Sequence, residues 1–129
     1  MVNHIAKRNA FRKWILIFSL FLIPALLLTA CGNNPIKDGV KGMKETLAEL
    51  NKALDQNDAA KAKELGKELE EKWEGFEDKV KEKSKDLYEK AEGPLKAIEA
   101  GVEVSPLDAK ALKQAAAELE QALAEVEKL

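Results

Sequence analysis

Two stretches far apart in this 129-residue chain carry apolar residues in alternating steps of four and three. The first is Ile36, Val40, Met43, Leu47, Leu50 and Leu54; the second is Leu112, Ala116, Leu119, Leu123 and Val126. That spacing lines the apolar side chains along one seam of a helix and does not suit a strand, whose side chains change face at every residue. No run in the chain alternates with period two, so no sheet is expected. Each seam must be covered by another helix, and the intervening sequence has to supply the partners.

The first helix is expected to follow a short polar tether, residues 31–38, and to weaken at Gly39 and Gly42, at about 1 kcal/mol each relative to Ala. "DQND" at 55–58 breaks its pattern, and Asp58 is a good N-cap for a second helix over 59–83. The apolar face of that helix is Ala62, Leu65, Leu69, Trp73, Phe76 and Val80. Ser84, followed by Asp86 and Leu87, reads as a fresh N-cap with a break or kink; the alternative is one long helix from 59 to about 92. A third helix would bear Leu87, Tyr88, Ala91, Leu95 and Ile98, kink at Gly93-Pro94, and end with Gly101 as its C′ residue. "SPLD" at 105–108 restarts the chain with Ser105 as N-cap, Pro106 at N1 and Asp108 at N3. Short connections favour antiparallel neighbours, so the expected fold is all-α, an up-down-up-down four-helix bundle over residues 39–129.

The first thirty residues have a different character. Lys7, Arg8, Arg12 and Lys13 precede an apolar run, "WILIFSLFLIPALLL", with no acidic residue among them. A positive segment, an apolar run of about 15 residues and then small residues make a secretory signal, short of the roughly 20 residues a spanning helix needs. Pro24 inside the run suits a signal better than a permanent membrane helix. "LTAC", Leu28 to Cys31, resembles the lipobox of bacterial lipoproteins at all four positions. The resemblance implies cleavage before Cys31, residues 1–30 being the signal peptide, and attachment of lipid to the Cys31 sulfur. Each buried CH₂ adds about 0.8 kcal/mol of membrane affinity, so two or three acyl chains anchor firmly. The expected location is the extracytoplasmic side of the cell membrane, held there by lipid.

Removing the signal changes the composition. Of 21 basic residues 17 remain, all lysine, against all 23 acidic residues, for a net charge near −6. An acidic chain without arginine is poorly suited to nucleic acid, which is usually met by a basic face and arginine forks. His4 leaves with the signal and Cys31 carries lipid, so neither histidine nor free thiol remains. Ser84 and Ser105 are better read as helix caps than as nucleophiles. No glycine-rich phosphate loop occurs, and the usual ligands of zinc, haem and iron–sulfur clusters are missing. The chain is therefore expected not to be an enzyme.

Carboxylates remain. Glu68, Glu71, Glu74, Glu77 and Asp78 lie on the second helix, most of them three or four residues apart, where they can share a surface and offer oxygen ligands to iron or another hard cation such as calcium; Tyr88 is a further candidate. Lys67, Lys72, Lys79 and Lys81 interleave with them, and the same pattern serves as a solvated Glu/Lys face. Trp73 and Phe76 are candidates both for core packing and for anchoring a protein partner in a groove.

The segment "ELEEKWEGFEDKVKEKSKDLYEKAEGPLKAIEAG" resembles the extracytoplasmic helical domain associated with bacterial iron permeases and with periplasmic iron-uptake lipoproteins. The matching positions are Glu71-Lys72-Trp73, Ser84, Leu87-Tyr88 and Ile98-Glu99, within residues 59–129. Where that family carries R-E-x-x-E, this chain has Lys67-Glu68-Leu69-Glu70-Glu71, and it lacks the family's site histidines. The resemblance implies a cation-binding component of an iron-uptake system. The residues themselves favour a membrane-anchored, non-enzymatic binding or accessory module with a protein partner in the envelope. A structural envelope lipoprotein that self-associates through its leucine stripes is the third possibility.

Overall fold

Four side-chain caps set where the helices of this domain begin. The computed structural model describes residues 34–129, so the signal peptide and Cys31 lie outside the described residues. Asn34 Oδ1 accepts the Ile36 N–H at 3.0 Å, with Pro35 at the first helical position, and opens α1 (Pro35–Asp55). Asp58 Oδ1 accepts the Lys61 N–H at 3.0 Å and opens α2 (Ala59–Glu74). A short α3 (Glu77–Lys83) follows, and Ser84 Oγ, accepting from Leu87 N at 3.3 Å, opens α4 (Lys85–Val102). Asp108 Oδ1 accepts the Ala111 N–H at 3.0 Å and opens α5 (Ala109–Val126). Each such cap satisfies an N–H that the first turn leaves without a helical partner. The described residues are thus all-helical, in five helices.

Several sequence expectations are corrected. Residues 35–38 are the first turn of α1 rather than tether, because Asn34 caps the chain there and proline is pre-set for the first helical position. Neither a single helix over 59–83 nor one from 59 to about 92 forms. The chain breaks at Gly75-Phe76, where Phe76 leaves helical geometry (φ −143°, ψ −1°) and its ring turns in against Gly39 of α1. Pro94 lies inside α4 without ending it. Gly101 is not a C′ residue; α4 runs on to Val102, and a Cβ at Gly101 would sit 2.6 Å from Leu112 Cδ2 of α5. Its bare backbone serves close approach, not termination.

Ser105 does not cap α5; Asp108 does. The two assignments separate in a melt. Asp108→Ala is expected to cost about 1 kcal/mol, a fall in Tm of roughly 4–8 °C, and Ser105→Ala almost nothing. Equal losses from both would return the cap to Ser105.

The core is one continuous cluster. All six stripe residues of α1, all five of α5, and Ala62, Leu65, Leu69, Trp73, Phe76 and Val80 are buried, joined by Ala91, Leu95, Ile98 and Val102 from α4. Fully burying a leucine- or valine-sized side chain is worth about 1.5–3 kcal/mol, so these seams account for most of what holds the helices together. Leu87 and Tyr88, both assigned to the core face, are only half-buried, since the first turn of α4 is covered by the short α3. The helices pack pairwise, α1 on α2 and α5, α4 on α2, α3 and α5. Across α1 and α2, buried Thr46 accepts from Lys72 Nζ at 2.7 Å and lies 3.1 Å from Glu68 Oε1. Across α2 and α4, Val102 packs against the bare face of Gly66. Lys90 of α4 pairs with Glu125 of α5 at 2.6 Å, Lys44 of α1 pairs with Glu127 just beyond α5 at 2.5 Å, and Lys113 pairs with Asp55. Val104, 57% exposed, is the one large apolar side chain the described residues leave in solvent.

Candidate functional site

A cleft between α2 and α4 gathers most of the unusual polar chemistry of the domain. Its inner wall is Trp73, 2% exposed, held by two aromatic neighbours. The Phe76 ring meets it edge-on at 5.2 Å between centroids, and the Tyr88 ring stacks on it at 5.9 Å. The Trp73 indole N–H would be orphaned there, and it donates to Glu92 Oε2 of α4 at 2.8 Å. Lys81 of α3 lies over the Tyr88 ring, its Nζ 4.9 Å from the ring centre. In front of this wall lies a cavity of about 160 Å³, bordered by carboxylates from three helices.

Those carboxylates are not alike. Burial pushes the Glu92 carboxyl up, but the hydrogen bonds from Lys96 (2.9 Å) and Trp73 outweigh it and hold it below the usual range. Glu77, at the start of α3, is raised by burial and then by the neighbouring charges of Glu92, Asp78 and Glu74. Glu99 is pushed up to about 7, first by burial and then by the carboxyl of Glu70 within hydrogen-bonding reach. Its Oε1 is shut off from solvent and has no hydrogen-bond partner. A second, larger hollow of about 530 Å³ continues along the same groove past Glu70 and Glu99 toward Lys63, Lys67, Val102 and Glu103.

The candidate cation ligands are split among three surroundings. Glu68 turns toward α1, where the Lys72 ammonium, with Thr46 helping, lowers its carboxyl against the effect of burial. Glu71 is exposed and faces Lys67 at 3.9 Å, and Asp78 is exposed. Only Glu74 and Glu77 reach the cleft, alongside Tyr88. Among the described residues no three acidic, histidine or cysteine side chains converge closely enough to hold a metal ion. Trp73 and Phe76 are buried in the core, so neither offers its ring to solvent.

Glu70, Glu92, Lys96 and Glu99 are cleft residues that the pattern along one helix misses. A signal for two of them exists: Glu92 and Glu99 are seven apart and flank Leu95, which places both at the edge of the apolar stripe of α4. Comparison with protein-family models, with curated proteins and with solved structures finds no match to this chain. Its chemistry has to be argued from the cleft itself.

Proposed function

We propose that this chain is a lipid-anchored, extracytoplasmic and non-enzymatic binding module of a bacterial membrane, whose ligand is a positively charged organic group received in the α2–α4 cleft. The anchor is Cys31, three residues ahead of the cap at Asn34. The finer architecture we propose is the up-down-up-down four-helix bundle, with α2 and α3 together forming its second leg. Contacts that run in opposite order along α1 and α5 and along α2 and α4 support it: Lys44 with Glu127 but Asp55 with Lys113, and Gly66 with Val102 but Trp73 with Glu92.

The observation that carries the binding reading is the cavity in front of Trp73, edged by Glu70, Glu74, Glu77, Glu92 and Glu99 with Lys96 as its one cation. Carboxylates spread around a 160 Å³ space suit an ammonium group or a lysine-like side chain, which shares its charge among several hydrogen bonds. They suit a bare ion less well, since a hard cation draws its oxygen ligands to one centre at 2.0–2.6 Å in general.

The full chain in detergent, with Trp14→Phe so that Trp73 is the sole tryptophan, allows a direct test. Spermidine is expected to change Trp73 fluorescence saturably and to raise Tm, by the equivalent of about 2.7 kcal/mol at 100 times its Kd. The change should shrink with added salt and vanish in Glu74→Gln/Glu77→Gln. A saturable response to ferric iron, ferrous iron or calcium instead would replace this reading with that of an iron-uptake component. Silence from all four probes would overturn the cleft as a ligand site.

A further inference from the structure

The lysines along the α2–α4 groove are each matched. Lys61 pairs with Glu64 at 3.3 Å, Lys63 with Glu103 at 2.7 Å, Lys67 with Glu71 at 3.9 Å and Lys96 with Glu92 at 2.9 Å. Glu70 of α2 and Glu99 of α4 border both hollows, and neither makes an ion pair among the described residues. Both line the same two hollows with the Glu70 carboxyl within hydrogen-bonding reach of Glu99, and the inner oxygen of Glu99 is sealed from water without a donor. Two carboxylates so placed repel when both are charged, whereas one proton between them turns repulsion into a hydrogen bond. No other donor is at hand, because the lysines around them are committed to Glu103, Glu71 and Glu92. Glu74, Glu77 and Glu92 add negative charge from the Trp73 side.

We propose that Glu70 and Glu99 form a proton-operated latch: one shared proton ties α2 to α4, and its loss parts them and widens the groove beside Trp73. The latch goes beyond the binding reading and needs no ligand. The direction of its effect follows from where the proton leaves. Glu99 gives up its proton at about 7 in the folded domain, against an ordinary value of 4.5. The folded state therefore holds more protons than the unfolded chain between those limits. The stabilisation is complete below 4.5 and is lost as pH rises through about 7.

The test again uses the full chain in detergent with Trp14→Phe. Trp73 fluorescence is expected to show a transition with its midpoint near neutral pH. Glu99→Gln and Glu70→Gln each supply a permanent N–H donor to the remaining carboxylate, so either should hold the low-pH signal across the whole range. Glu118→Gln, on the exposed face of α5, should leave the transition in place. The carboxyl carbon shift of Glu99, followed by NMR in the chain without the Gln changes, should titrate near neutral pH. A Glu99 carboxyl that titrates close to 4.5, or a fluorescence transition that survives in both Gln variants, would overturn the latch.

Discussion

Trp73→Ala is expected to destabilise the domain by about 3–5 kcal/mol, the range for removing a large buried aromatic side chain. For a domain of this size that corresponds to a fall in Tm of at least roughly 12 °C. Three things are lost together: the packing of a side chain that is 2% exposed, two ring contacts to Phe76 and Tyr88, and the donor to Glu92. Trp73→Phe separates them. It keeps one aromatic ring in place but removes the N–H and part of the indole volume, so it should cost about 1–3 kcal/mol, from the acceptor left short of one bond and the small cavity together. The hydrogen-bond share of that cost is the smaller one, because Glu92 retains Lys96. Since the fluorophore is removed, helix content by circular dichroism against urea is the measurement. A cost under 1 kcal/mol for Trp73→Ala would mean that the ring is not a core element, and its role as a partner anchor would gain accordingly.

Two glycines three residues apart on α1 are expected to respond with opposite signs. Alanine usually stabilises a helix interior by about 1 kcal/mol relative to glycine. Gly42 should follow that rule: a Cβ there would meet Lys72 Cδ at 3.7 Å, an ordinary contact, and Gly42→Ala should gain about 0.5–1 kcal/mol. Gly39 should break it. A Cβ at Gly39 would fall on the Phe76 ring, a rigid group with its own place in the core. Overpacking of that kind costs about 1–3 kcal/mol, enough to reverse the helix gain. In a Phe76→Leu background the penalty of Gly39→Ala should shrink, because the smaller, more adaptable side chain can move aside. Equal stabilisation by both alanines would remove Gly39 as the seat of Phe76.

The same pair of residues marks where the sequence stops being sufficient. The stripes of α1, α2 and α5 were legible because burial and helical period impose the same spacing, and every stripe residue from Ile36 to Leu54 and from Leu112 to Val126 is buried. The break at Gly75-Phe76 was not legible. Trp73, Phe76 and Val80 keep their helical spacing across it, and what turns the chain is a seat on α1, thirty-seven residues away in sequence. Gly101 looked like a helix stop by local rules and is instead the place where Leu112 comes in close. At 105–108 two capping residues compete within one short segment, and local preference does not rank Ser105 against Asp108.

The cleft was legible only on one side. Neighbours on α2 can be listed from their spacing, but Glu70 meets Glu99 only because α2 and α4 pack, and no pattern within either helix says so. Spacing also overcounts: Glu68 and Glu71 are sequence neighbours of the cleft residues, yet one turns to Thr46 and the other to solvent.

A last consequence belongs to the outside of the domain rather than to its core. Val104 is the single large apolar side chain left uncovered among the described residues, and many of their surface lysines and glutamates are paired in sign. Copies of such a domain held on one membrane face, as its proposed anchor would hold them, meet at a density far above that of a dilute solution. Among the described residues, the surface such copies would bring together is mainly charged rather than apolar.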